Sequence, residues 1–126
     1  MVVTKTAYLV GLDESMSMEV VSDVSNETRW AWFRGVFDNQ GYVGRYNGHG
    51  KVQVRITSDS KQFLEGLQRK FLPQNKSEIF EAGTTYLWSI SKWNELRYIA
   101  TKMYRDNGPC VESKREKFVE YGLLSI

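Results

Sequence analysis

The sequence predicts an α+β fold, one antiparallel sheet with its helices packed on one face. Three observations predict it. Glycine-centred turns at Asn47-Gly48-His49-Gly50 and Ala82-Gly83 each join two strand-like runs, which reads as two hairpins. Helical stripes follow each hairpin, Phe63 to Phe71 after the first and Trp93 to Met103 after the second. Ahead of both lies Glu27 to Phe37, apolar on almost every side, as a helix buried on more than one face must be.

The elements can be justified in order. Residues 1–24 show no clean period, although Tyr8-Leu9-Val10-Gly11-Leu12 is apolar; they read as a short strand or helix plus a connecting arm. Residues 25–126 form the domain proper. Ser25 or Asn26 can cap the first long helix, because a short polar side chain accepts from exposed first-turn amides. Glu27 suits the positive end of its dipole, and Asp38-Asn39-Gln40-Gly41 stops it. Gly41 to Tyr46 and Lys51 to Thr57 are the first strand pair. In the second strand Val52, Val54 and Ile56 alternate with Lys51, Gln53, Arg55 and Thr57, so one face is apolar and the other polar.

Asp59 or Ser60 opens a helix with the stripe Phe63, Leu64, Leu67 and Phe71, ending at Pro73. Ser77 to Phe80 and Thr84 to Ser91 give the second hairpin. The Trp93 helix stops at Asn107-Gly108-Pro109, and Ser113 with Glu116 spells a capping box for a last helix carrying Phe118 and Val119.

Composition bounds the function. A chain of 126 residues reads as one domain, and it can bury roughly two-thirds of its unfolded surface without a metal or disulfide staple. With 41% hydrophobic and 25% charged residues it is neither disordered nor low in complexity. The net charge of +2 excludes a histone-like polycation, whereas 13% aromatics call for a heavy core or a large contact surface. Cys110 is the single cysteine, so no intrachain disulfide forms and an intracellular, reducing compartment is expected. No apolar run approaches the roughly 20 residues that span a bilayer. His49 is the single histidine and sits in a plain turn, which removes hydrolases and zinc sites that need a histidine cluster.

Phe33-Arg34-Gly35-Val36-Phe37-Asp38-Asn39-Gln40-Gly41 resembles the LAGLIDADG signature of homing endonucleases in its G-x-F-D-x-x-G variant. The passage Val54 to Leu67, the run Thr85 to Ile90 before the Trp93 helix, and Pro109 with Lys114 and Arg115 are similar to the family's later segments. The resemblance covers roughly residues 26–121. It implies an αββαββα fold whose curved sheet straddles double-stranded DNA. It also implies a homodimer in which two signature helices pack together, on a long pseudo-palindromic site. Ala31 and Gly35, four residues apart, with Trp32 between them, offer a stripe where a partner helix could approach. Arg34 stands where the family keeps a small residue.

The family's chemistry uses carboxylates that hold Mg²⁺ between attacking and leaving oxygens. The position of that acidic ligand is Gln40 here, a neutral amide. Either the chain binds DNA without cutting, or an isosteric Glu-to-Gln replacement has been made, or a partner chain supplies the acid. Asp38 matches a helix-end acid with a structural role. Lys114 matches a basic position near the family's active site, where an ammonium could stabilise phosphate charge; an ordinary solvated lysine is the alternative. Arg45 and Asn47, with Lys51, Gln53, Arg55 and Thr57, are expected to form a row of donors suited to base edges and phosphates in a major groove. The plain alternative is a solvated sheet face. Beside a site-specific endonuclease stand a non-catalytic binding module, either a DNA-binding regulator or an RNA-binding splicing helper, and a structural or interaction protein whose aromatics simply build a core.

Overall fold

The computed structural model describes residues 4–12, 25–46 and 50–125. Its elements are α1 (Thr4–Gly11), α2 (Asn26–Gln40), β1 (Gly41–Arg45), β2 (Val52–Ser58), α3 (Lys61–Phe71), β3 (Ile79–Ala82), β4 (Thr85–Ile90), α4 (Trp93–Met103) and α5 (Glu112–Glu120). From α2 onward this is the expected αββαββα order with a closing helix. The stretch 1–24 resolves in part as a helix, α1; its connecting arm, residues 13–24, lies outside the described residues.

The sheet runs β1-β2-β4-β3, antiparallel throughout. The pleat sends Val43, Val52, Val54, Ile56, Trp88 and Ile90 to one face, and all six are buried. Helices α2, α3 and α5 pack on the sheet and α4 packs on α2, so helices cover one face only. Ser25 caps α2 by accepting from the Thr28 amide, and Ser60 caps α3 by accepting from the Phe63 amide. Gly83, with φ +65°, turns the second hairpin in a conformation glycine adopts without strain. The capping box at Ser113 and Glu116 does not form. Helix α5 begins two residues earlier, its N-cap Val111 carries no side-chain acceptor, and the Val111 amide is instead met by Asp38.

The core is aromatic. Trp30 lies edge-on to Phe33, Phe71 and Tyr98, Trp32 stacks on Phe71, and Phe37 packs on Phe118. Trp30, Trp32, Phe33 and Phe37 are therefore all buried within one chain. An apolar surplus on α2 does not by itself demand a second copy. Among the described residues, no helix is long and apolar enough to cross a membrane.

Arg34, the departure from the signature, is also buried, at 1% exposure. Its guanidinium donates to the carbonyls of Met103 and Pro109 and pairs with Asp106 at 2.6 Å. A planar fork with five donors satisfies several acceptors at once, and here it fixes α2 to the end of α4 and to the turn leading into α5.

Candidate nucleic-acid interface

Strand register decides which side chains share the face that the helices leave open. Tyr42 pairs with Arg55, Gly44 with Gln53, Arg55 with Ser89, Thr57 with Leu87, and Phe80 with Leu87. Directly paired residues in an antiparallel sheet point the same way. The open face therefore carries Gln53, Arg55 and Thr57 in its middle, flanked by Tyr42 on one side and by Ser89, Leu87 and Phe80 on the other. Tyr42 and Phe80 are 50% and 54% exposed, so the face presents aromatic as well as polar surface.

Arg45 does not belong to this row. It pairs with Val52, an inward residue, so its side chain leaves by the helix-covered side and lies over the Tyr121 ring at 5.4 Å. The strand starts at Gly41, and that parity gives the open face to Tyr42. Asn47 lies outside the described residues. Lys51 is exposed just before β2. Tyr42 and Ser89 were missed by sequence reasoning; the alternation of β2, once paired with its neighbours, would have found both.

Arg55 is held before any ligand arrives. Its guanidinium carbon sits 3.7 Å from the centre of the Tyr46 ring, and its Nε donates to Gln53 Oε1 at 3.1 Å. Stacking and a fixed acceptor restrict a long side chain that is otherwise costly to order. Burial raises the Tyr46 phenol above its ordinary range, with Arg55 opposing, so the ring stays neutral beneath the cation.

The C-terminal end of α2 brings Gln40, Asp38 and Lys114 together. Gln40 Nε2 donates to the Thr57 carbonyl at 2.8 Å, and the Thr57 hydroxyl donates to the Gln40 carbonyl at 3.4 Å. Lys114 Nζ donates to the carbonyls of Asp38 at 2.7 Å, Gly41 at 2.8 Å and Phe37 at 3.5 Å. An ammonium has three donors, and here they serve three carbonyls around the end of α2, where the helix dipole favours a cation. Burial lowers the Lys114 pKa, with Asp38 opposing. Asp38 Oδ2 accepts from the Tyr8 hydroxyl at 2.7 Å and the Val111 amide at 2.8 Å. Burial raises the Asp38 pKa despite those bonds and the Lys114 charge.

These residues do not fit a divalent metal. Gln40 offers one uncharged oxygen and spends its amide donor on Thr57. Asp38 is buried behind two donors, and no group of three or more His, Cys, Asp or Glu side chains among the described residues could hold an ion. The cluster ties helix, strand and terminal helix together.

Ala31, Trp32 and Gly35 are buried, and the helix facing Gly35 is α1 of the same chain. A Cβ on Gly35 would stand 2.1 Å from the Tyr8 carbonyl oxygen. The stripe expected to receive a second copy is thus already occupied.

Comparison with known proteins agrees with this architecture. A crystal structure of the LAGLIDADG meganuclease I-AabMI bound to uncleaved DNA superposes with a TM-score of 0.51 at 15% identity, over 94% of this chain and 48% of that one. This chain accordingly spans about half the length of that meganuclease. No curated protein matches its sequence. The family of the LAGLIDADG-like domain matches residues 27–94, which takes in the signature helix, the first hairpin, α3 and the second hairpin. On that match, over more than half of its length, the chain belongs to the LAGLIDADG-like domain family.

Proposed function

We propose that this chain binds double-stranded DNA through the open face of its sheet and does not itself hydrolyse it. The observation that carries the reading is the ordered row Gln53, Arg55 and Thr57 on the one sheet face without helices, with Arg55 stacked on Tyr46. A two-stranded ribbon fits the major groove, where Arg matches guanine edges and Gln matches adenine. The structural neighbour was solved on DNA, which supports the same ligand class here. Among the described residues no carboxylate set fits a metal, and Gln40 stands at the position of the family's acid, which favours the DNA-binding regulator over the endonuclease. One sheet reads one half-site. The homodimer on a pseudo-palindrome, the family's assembly, requires the Gly35 face of α2 to be vacated first.

Selection from a random duplex library, followed by gel shift at a fixed and stated salt concentration, tests the reading. Enrichment of one sequence whose affinity falls with Arg55→Ala is expected. No enrichment, or binding that ignores sequence and Arg55 alike, would overturn it. Mg²⁺ added to the bound complex is expected to give no cut strand.

A further inference from the structure

Glu95, on the first turn of α4, is a carboxylate that the fold buries without a counter-ion. It is 7% exposed, and among the described residues it forms no ion pair. Buried charges are ordinarily paired with an opposite charge or a metal. One oxygen, Oε1, accepts from Asn75 Nδ2 at 2.8 Å. The other meets no donor among the described residues and is not sealed in the interior, so it opens on the cleft that Glu95 helps to line.

The carboxylate is aimed from the sheet. Asn75 Oδ1 accepts from Gln68 Nε2 at 2.8 Å, Trp88 Nε1 at 3.0 Å and the Ser77 amide at 3.1 Å. With its oxygen so held, the Asn75 amide has only its nitrogen to turn toward Glu95. Asn75 and Trp88 are themselves buried. Glu95 is thus fixed before any ligand arrives, and a group already ordered pays little to bind.

The cleft, about 250 Å³, lies between the end of α3 and the start of α4. Phe71, Leu72, Pro73 and Tyr98 give it apolar and aromatic walls, Gln74 and Asn94 add amide acceptors, and no basic side chain among the described residues lines it. Two cations around it are engaged elsewhere. Arg29 donates to the Lys70 carbonyl and lies over the Phe71 ring at 5.3 Å, and Lys102 lies over the Tyr98 ring at 5.6 Å. One carboxylate among rings offers too few oxygens for Ca²⁺ or Mg²⁺. It suits an organic cation, which wants one opposite charge beside apolar and aromatic surface. The volume is below that of drug-sized pockets, which limits the ligand to a charged head on a short chain.

We propose that this cleft binds a small organic cation, an alkylguanidinium or alkylammonium group, with Glu95 as its counter-ion. The site lies among the helices, away from the open face of the sheet, and does not depend on the DNA reading.

Titration of the wild-type chain with n-butylguanidinium, followed by NMR through the Asn75 side-chain amide and the Trp88 indole, tests the proposal. A ligand of this size should bind with a Kd on the order of 1 mM. n-Butylurea has the same shape without the charge and should bind roughly tenfold more weakly or worse. Glu95→Gln keeps an acceptor for Asn75 and should weaken n-butylguanidinium by a similar factor. A blocked tripeptide with a central arginine separates two sources of the cation. Tighter binding than n-butylguanidinium assigns the site to a polypeptide side chain, and weaker binding to a free small molecule. No shift at roughly 10 mM, equal binding of n-butylurea, or a folded Glu95→Gln chain of unchanged affinity would overturn the proposal. Should Glu95→Gln fail to fold by circular dichroism, the comparison with n-butylurea decides on the wild-type chain alone.

Discussion

Gln40 donates to the Thr57 carbonyl at 2.8 Å, so the amide that replaces the family's acid is used as an amide. A carboxylate can only accept. Glutamate at this position would face a carbonyl oxygen and lose the bond between the end of α2 and the end of β2.

Gln40→Glu is therefore expected to lower stability by about 1 kcal/mol, the usual net worth of one hydrogen bond. It should not switch on Mg²⁺-dependent cleavage, because Asp38 stays buried behind the Tyr8 hydroxyl and the Val111 amide and no acidic cluster among the described residues stands ready to complete a metal site. Urea titration reads the first outcome and a nicking assay on the selected duplex reads the second. Cleavage by this single variant would show that a competent metal site needs no further acid from this chain.

Lys114 separates a catalytic from a structural role. Its ammonium caps α2 through the carbonyls of Asp38 and Gly41, and charge-assisted bonds of this kind are worth about 1.5–3 kcal/mol. Lys114→Met should cost that much in denaturant unfolding while changing DNA affinity much less. A variant of normal stability that has lost DNA binding would return Lys114 to the phosphates.

Asp38 gives the pH dependence a sign. Its pKa is raised in the folded chain, chiefly by burial, so the folded state prefers the protonated form more than the unfolded state does. That contribution is fully present below the ordinary aspartate pKa of 3.8 and is lost as pH rises through the raised value. Asp38→Asn keeps an acceptor for Tyr8 and removes the charge. Its stability relative to wild type should therefore climb across that interval and level off above it, as thermal melts at a series of pH values would record.

Arg34 and Asp106 test the staple between α2 and the turn before α5. Asp106→Ala leaves a cation buried at 1% exposure beside two carbonyls. Removing one partner of a buried pair costs about 3–5 kcal/mol, a loss that calorimetry would register as a large fall in Tm. Arg34→Met should cost less, because the carboxylate it leaves is nearer solvent, at 9% exposure, and keeps the Gly108 amide as a donor.

How far the fold was legible follows from the range of the forces. The alternation in Val52 to Thr57 and the stripe Phe63, Leu64, Leu67 and Phe71 are local, and both elements lie where the pattern puts them. Helix α1 spans only Thr4–Gly11. Isolated helices of that length are marginal, and this one is held by Gly35 and Asp38, contacts that no window around it contains. The Arg45 error has the same origin, since a side chain's face is set by the partner strand and not by its own neighbours. Lys114 looked like one of a basic run; its role depends on carbonyls more than seventy residues away.

Arg55 and Arg45 put the sheet assignment to its most direct test. They are one strand apart and equal in charge, yet register sends Arg55 to the open face and Arg45 to Tyr121. If the open face reads bases, Arg55→Ala should cost about 1–3 kcal/mol on the selected duplex and relax preference at one base pair. Tyr46→Ala, which frees the guanidinium without removing it, should reproduce part of that loss. Arg45→Ala should leave the base preference unchanged, whatever it does to overall affinity through phosphates. A selection repeated with each variant compares them under one salt condition. Equal loss of preference in both arginine variants would mean that DNA does not approach by this face.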